Sequence, residues 1–476
     1  MSFLGLDLGT SGLRALLVRE DGTAIVSIER SYQTQSPHPG WSEQDPTLWT
    51  LALDSAMAEL LRNVPEFASL KAISVAGHMH GAALLDKSYK VLRPCILWND
   101  TRAHKEAAEL DSDPGVQNAL ANTMFPGFTA PKLRWIETHE PEIFKKIHKV
   151  VLPAAYLNTY LTGEPFADYS DSVGSGWLDV LQRDWSTTLL DAGHMRPEQM
   201  PRLVESTQVG GVVRPELAHQ WGLGNQVLVT GGAGDNAATA CAMGITQNGQ
   251  GLVSLGTSGV VLGAVDHPQP DPKSAVHTFC HAIPDQHYQM GVMLAATDSL
   301  NWLADILLSD PAELTRELPK QLLSPGNTQF LPYLSGERTP HNSASLRGSW
   351  HGLSSQTTRT QMIHSVIEGV SFALKENLDA LESCGQQLDS LWAVGGGAKS
   401  EYWLSLLATV LDRPLWRPEQ GDFGAALGAA RLAQVAAGFS IDEVMTPPQC
   451  QEIIEPVGGL REAYREAFHR FRAHPR

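Results

Sequence analysis

The 476-residue chain carries no run of basic residues, no Cys-x-x-Cys pair and no long uncharged apolar stretch. Each absence removes a class of function. With Lys+Arg 35 against Asp+Glu 52 the formal charge is −17, which argues against nucleic acid or an anionic membrane as partner, because both reward clustered cations. Any phosphate bound here is expected to be small and held locally. The cysteines, Cys95, Cys241, Cys280, Cys384 and Cys450, are odd in number and scattered, so a reducing, cytoplasmic setting is expected. Asp7 and Arg14 interrupt the apolar N-terminal stretch, and no small-residue cleavage site follows. Neither export nor membrane insertion is expected.

What the chain does contain is the pentapeptide Leu-Gly-Thr-Ser-Gly twice, at 8–12 and again at 255–259. Asp7 precedes the first copy and Ser254 the second. Around the first, "FLGLDLG" and "LRALLVREDGTAIVSIERSY" read as strands, with Asp21-Gly22 as a hairpin turn. Around the second, "GLVSLGTSGVVLGAV" reads as another strand pair. The length calls for two large domains, here 1–245 and 246–476, each opening on strand, pentapeptide and strand. In the second half, Trp403, Leu406, Leu407, Val410 and Leu411 fall at helical spacing, with Ser400 where an N-cap belongs. "DFGAALGAARLAQVAAG" is a further helix with a small-residue face, read as tight helix packing before ligand contact.

A turn of glycines and small hydroxyl residues can aim backbone N–H groups at phosphate oxygens, with Thr and Ser adding side-chain donors. Two such turns could grip one polyphosphate. A carboxylate beside only one of them suits a hard cation such as Mg²⁺ between it and the phosphates, and Arg14 could neutralise the transferring group. Two unrelated hairpin turns remain the plain alternative.

"GGAGDNAATA" places Asp235 between a strand and a helix, where a general base or an N-capping aspartate would sit. The same residues fit G-x-G-x-x-A, but the acidic residue that a dinucleotide fold expects at the end of the next strand is absent, since Ser254 stands there. "GGGAKS" at 395–400 is not a P-loop, having Ala393 and Ala398 where glycines are required. It could still admit a nucleotide close to the backbone, or be a structural tight turn. His78 and His80, and His277, Cys280 and His281, invite zinc without offering finger-like or HExxH spacing. A histidine after a strand is better used on a polyol. "LWND" with Arg102 offers an aromatic face and both charges, as a sugar site or an ordinary surface turn would.

Taken in order, "DLGTSG", "PGWSEQDP" at 39–46, "GHMHG" at 77–81, "GFTAPKLRWIETH" at 127–139, "GDNAA" at 234–238, "YLSGERTPH" at 333–341 and "GGGAKSEYW" at 395–403 resemble the FGGY carbohydrate kinases. The resemblance runs from residue 7 to about 430. It implies an α/β chain of two actin-like ATPase (ribonuclease H-like) domains with an interdomain catalytic cleft, using ATP and Mg²⁺ on a small sugar, with a homodimer the one assembly allowed for. Within the family, Met79-His80-Gly81, Trp98-Asn99-Asp100 and Asp235-Asn236 resemble the branch that phosphorylates D-xylulose at O5, although His78 stands where that branch has glutamine. Sister kinases of ribulose, gluconate or another polyol, and an actin-fold ATPase switch, are the alternatives. By the same resemblance Asp235 is the catalytic base and Asp7 the aspartate that meets Mg²⁺ through water. Met79, His80, Trp98 and Asn236 are substrate neighbours. Thr10, Ser11 and Arg14 serve the first phosphate hairpin, Gly256 and Thr257 the second, and Gly396, Gly397 and Ala398 the adenosine.

Overall fold

The structure, a computed structural model, describes residues 1–224, 226–419 and 423–475. Packing groups residues 1–246, 279–287 and 423–447 into one compact unit and residues 247–278, 288–422 and 448–476 into another. Two later stretches thus join the first unit, which a boundary drawn once along the chain does not describe.

In the first unit β1 (Ser2–Leu8), β2 (Gly12–Arg19) and β3 (Ala24–Ser31) form an antiparallel meander. Gly22 makes the expected turn between the last two, at φ 81°. Strand β4 (Leu70–Gly77) lies parallel to β1, and β5 (Val209–Val212) and β6 (Leu228–Thr230) extend the sheet in the order β5-β6-β4-β1-β2-β3. The short β7 (Ala233–Gly234) pairs with the end of β4 and leads into the helix Asp235–Ala242.

Period-two alternation decides which side of β1 each residue serves. Leu4, Leu6 and Leu8 pack with Trp49, Leu53 and Met57 of the helix Thr47–Asn63. Phe3, on the other face, meets Ala426, Ala430 and Ala433 of the helix Gly424–Ala436. That helix is small-faced because backbone approaches it closely. A Cβ on Gly5 would lie 1.9 Å from the Ala426 carbonyl oxygen, and one on Gly428 would lie 1.7 Å from that of Ala238. Asp422, with which the sequence reading starts this helix, lies outside the described residues. Arg431 then ties the helix down by donating to the carbonyls of Cys241, Ala242 and Thr446.

In the second unit β8 (Gly251–Leu255) and β9 (Gly259–Val265) form the hairpin that carries the second pentapeptide. With β10 (His277–Cys280), β11 (His287–Met293), β12 (Leu391–Val394), β13 (Leu415–Pro418) and β14 (Cys450–Ile454), the sheet order is β10-β11-β9-β8-β12-β13-β14. Because β12 runs parallel to β8, the loops after Leu255 and after Val394 leave the sheet side by side. The Ser400 hydroxyl accepts the Trp403 N–H at 3.3 Å and caps the helix Glu401–Leu411, whose apolar stripe is buried as its spacing predicts. Among the described residues no helix is long and apolar enough to cross a membrane.

Candidate active site

The first Leu-Gly-Thr-Ser-Gly turn is held by its carbonyls. Gly9 C=O accepts the Tyr32 hydroxyl at 2.7 Å, Thr10 C=O accepts Gln44 Nε2 at 3.0 Å, and Ser11 C=O accepts the Tyr32 N–H at 3.1 Å. In a planar trans peptide the N–H points opposite to the C=O. The N–H groups of Thr10 and Ser11 therefore face away from these partners, as anion binding requires. Trp98 reaches the same turn, donating Nε1–H to Thr10 Oγ1 at 3.0 Å.

Asp7, Arg14 and Glu29 sit opposite one another across β1, β2 and β3 and so share a sheet face. Arg14 donates from Nε to Glu29 at 2.8 Å, so its charge is shared with a carboxylate and not held for phosphate alone. Burial pushes the Asp7 carboxyl up to about 6, with Arg14 opposing and Glu29 adding to the shift. Asp235 is pushed up to about 7, first by burial and then by the charge of Asp7. Its Oδ1 accepts the Asn236 N–H at 2.7 Å and Asn236 Nδ2 at 2.9 Å. It is the first residue of its helix, and Gly234 occupies the N-cap, so the capping alternative does not apply.

Asp7 and Asp235 are neighbouring carboxylates, each with raised proton affinity, and a divalent cation gains at such a pair. Among the described residues no group of three or more His, Cys, Asp or Glu is arranged to hold an ion. That donor set fits Mg²⁺, which is commonly bound by one or two carboxylates plus substrate phosphates and water.

Met79 and His80 form a wall beside Asp235. A Cβ on Gly234 would lie 3.0 Å from Met79 Cγ and Sδ, so the methionine packs directly against the residue before the base. His80 has a left-handed backbone, φ 69°, an uncommon state for a non-glycine residue. Its carbonyl is held there by Lys132 Nζ at 2.8 Å and Thr129 Oγ1 at 3.1 Å. Its ring stacks on Phe128 at 4.7 Å, and Nδ1 meets the Gly174 carbonyl at 2.8 Å. A carbonyl oxygen only accepts, so Nδ1 is the donor in that contact. Sequence reasoning named Lys132 only as part of a signature, and it had no signal for Gly174 or Ser170.

The second turn and the glycine run lie together in the other unit. Gly256 C=O accepts Thr297 N–H at 2.9 Å and its hydroxyl at 2.8 Å, and Thr257 C=O accepts Ala296 N–H at 2.8 Å. By the same peptide geometry the N–H groups of Thr257 and Ser258 face away. Gly395, at φ 93°, lies so close to Leu255 that a Cβ would sit 2.7 Å from its carbonyl carbon. Gly396 is exposed, and Gly397 and Ala398 are buried beneath it. Beside them opens a cavity of about 290 Å³ bordered by Val394, Gly395, Ala398, Arg417 and Gln451.

One sequence expectation needs correction. Asp100 and Arg102 form neither a sugar contact nor a surface turn. They are buried and bonded to each other at 2.7 Å, Arg102 also meets Glu43 at 2.6 Å, and its guanidinium lies 3.6 Å from the Trp41 ring centre. His78 is buried against the Trp49 ring, neither ring nitrogen has a hydrogen-bond partner among the described residues, and burial lowers its pKa to about 3. The ring is neutral at ordinary pH.

Residues 2–242 match the FGGY family of carbohydrate kinases, N-terminal domain, and residues 251–437 match the C-terminal domain of the same family. The chain belongs to the FGGY family of carbohydrate kinases. This FGGY kinase is 44% identical to the "Xylulose kinase" of Escherichia coli (strain K12) over 437 residues, 91% of this chain and 90% of the relative. A crystal structure of a "xyloylose kinase" from Brucella ovis is 50% identical, covers 99% of this chain and 98% of its own, and superposes with a TM-score of 0.97. A gluconate kinase from Lactobacillus acidophilus shares 25% identity and a TM-score of 0.90, over 99% of this chain and 96% of its own. The FGGY kinase has the actin-like ATPase fold of these neighbours.

Proposed function

We propose that this FGGY kinase transfers the γ-phosphoryl group of ATP to O5 of D-xylulose, giving D-xylulose 5-phosphate and ADP. The similarity to xylulose kinases supports the choice of sugar. The observation that carries the chemistry is Asp235, a carboxylate with proton affinity near 7, beside the Met79–His80 wall. A base with that affinity is half-deprotonated at neutral pH and can take a hydroxyl proton as the new bond forms.

In this reading Asp235 Oδ2 accepts the O5 proton while Asn236 holds Oδ1, and Met79 and His80 orient the sugar. The O5–P bond forms, the bond from γ-phosphorus to the bridging oxygen breaks, and ADP leaves with the electron pair. The proton on Asp235 then passes to solvent. Outward N–H groups of Thr10, Ser11 and Thr257 carry the spreading charge, and Arg14 adds positive potential on the Asp7 face. Gly396, Gly397 and Ala398 admit the adenosine. Mg²⁺, held near Asp7, would neutralise phosphate charge when bound. A cytoplasmic setting belongs to the same proposal, supported by the five cysteines, all free thiols.

The test is ADP release from Mg·ATP with no sugar, D-xylulose, D-ribulose, L-ribulose, gluconate or glycerol. Strong stimulation by D-xylulose above the rest is expected. Another sugar in first place would overturn the substrate, and stimulation by none would overturn the kinase reading in favour of a switch.

A further inference from the structure

Asp168 and Asp171 are both buried, each about 1% exposed, on one short segment of the first unit, and they are treated very differently. Asp168 is saturated. Its Oδ2 accepts the Ser170 N–H at 2.7 Å and the Ser206 hydroxyl at 3.0 Å, and the Ser170 hydroxyl as well. It caps the one-turn helix Tyr169–Ser172. Asp171, on that turn, has no hydrogen-bond partner for either carboxyl oxygen among the described residues. A buried polar group left unpaired is costly, and a native chain retains one where something else pairs with it.

The neighbours of Asp171 say what that is. Ser170 Oγ accepts the N–H of Gly234, the residue before Asp235, at 3.1 Å. The Gly174 carbonyl meets His80 Nδ1 at 2.8 Å, and a Cβ on Gly174 would lie 3.3 Å from Met79 Cε. The segment 170–174 thus touches Met79, His80 and the strand end that presents Asp235. The charge of Asp235, after burial and the charge of Asp168, holds the Asp171 carboxyl well above the usual carboxylate range. A neutral carboxyl offers one donor and further acceptor capacity, which is what a sugar hydroxyl pairs with.

We propose that Asp171 is a substrate-contacting residue, its carboxyl hydrogen-bonding a secondary hydroxyl of the ketose, at C3 or C4, adjacent to the end that Asp235 deprotonates. This rests on the assignment of Asp235 and the Met79–His80 wall to the acceptor sugar. It gives the segment 168–175 a division of labour: Asp168 and Ser170 hold the loop, and Asp171 reads the substrate.

The experiment is a cycle of enzyme and substrate changes. Asp171→Ala is expected to raise KM for D-xylulose roughly 10- to 100-fold, as loss of a hydrogen bond to a desolvated group does, with KM for ATP within about twofold. Asp171→Asn should recover part of the loss. Deoxy analogues at C3 and C4 are then compared on wild type and variant. For the contacted hydroxyl, the analogue loses affinity on wild type and loses little more on Asp171→Ala. A merely structural aspartate would give penalties that multiply for both analogues, or would raise both KM values together, and either result overturns the inference. If Asp171→Ala does not fold, the same cycle on Asp171→Asn decides. Wild type that ignores D-xylulose but accepts another sugar of the panel moves the cycle to deoxy forms of that sugar. Wild type that accepts none overturns the proposed function and this inference with it.

Discussion

The two Leu-Gly-Thr-Ser-Gly turns share five residues and one construction, yet their surroundings differ in kind. In both, successive carbonyls face inward and the next N–H groups face out. The first is locked by side chains, Tyr32, Gln44 and Trp98, and stands beside Asp7. The second is locked by the opening of the helix Thr297–Ile306 and abuts the loop at Gly395. A turn supplies oriented donors, and the residues around it decide what is bound there. The first turn stands beside a pair of carboxylates, to which the proposed mechanism gives the proton and the cation. The second abuts glycines, which the same proposal assigns to the nucleotide.

The strongest way to break this contrast is to remove the carboxylate chemistry of the first unit. Asp235→Ala should lower kcat by about 10³-fold, within the range for loss of a positioned base, with KM for ATP nearly unchanged. A kcat within tenfold of wild type would end the general-base assignment. The base is active when deprotonated, so kcat should be near half-maximal at the Asp235 pKa of about 7, approach its full value about one pH unit higher, and fall as pH drops below.

Asp7→Asn against Ser254→Ala tests the asymmetry itself. Asp7→Asn should cost about 10²-fold in kcat and raise the Mg²⁺ concentration needed for half-maximal rate. Because the Asp7 charge raises the Asp235 pKa, its removal should also move the acid limb of the kcat profile to lower pH. Ser254→Ala should change kcat by less than about twofold, as a substitution away from any charge does. Equal losses in the two variants would mean that the flanking residue does not distinguish the turns.

Gly395→Ala sharpens the second side. At φ 93°, with Leu255 backbone 2.7 Å from the added Cβ, it should destabilise the protein by about 1–3 kcal/mol and raise KM for ATP more than KM for sugar. Gly256→Ala places its Cβ 3.3 Å from the Ser258 carbonyl oxygen and should melt within a few degrees of wild type. The reverse ranking by thermal melting would show that the glycine run is not the constrained member.

Local patterns were legible in the sequence because local physics produces them. The Asp21-Gly22 turn, the Ser400 cap and the stripe from Trp403 to Leu411 each need only neighbours along the chain. The small-faced helix was legible as a close approach, but not what approaches it, since Gly5 and Ala238 lie far away in sequence. The same limit explains the misreading of "LWND" with Arg102. Asp100, Arg102 and Glu43 look like polar surface until Trp41 is seen stacked on the guanidinium. His80 was legible as a polar residue on the loop after a strand. Its left-handed backbone and the lysine that holds it were not, because nothing in the sequence marks Lys132 as a buried cation bonded to the carbonyls of His80 and Gly127. Asp171 shows the limit most sharply, since both aspartates of "DYSDS" are buried and only the hydrogen-bond partners of the folded chain separate the saturated one from the bare one.

Trp98→Phe is the smallest and most specific probe of the first turn. It keeps an aromatic face at the partly buried position and deletes only the Nε1–H bond to Thr10 Oγ1. A neutral hydrogen bond of that kind contributes about 0.5–1.5 kcal/mol, so a loss of roughly 2- to 10-fold in kcat/KM is expected. If Trp98 chiefly braces the phosphate turn, KM for ATP rises and the sugar preference stays. If it chiefly faces the sugar, the ratio of D-xylulose to D-ribulose turnover changes while KM for ATP holds. The hydrogen bond to Thr10 favours the first outcome, because a side chain whose polar atom is committed to the turn has only its ring to offer the substrate.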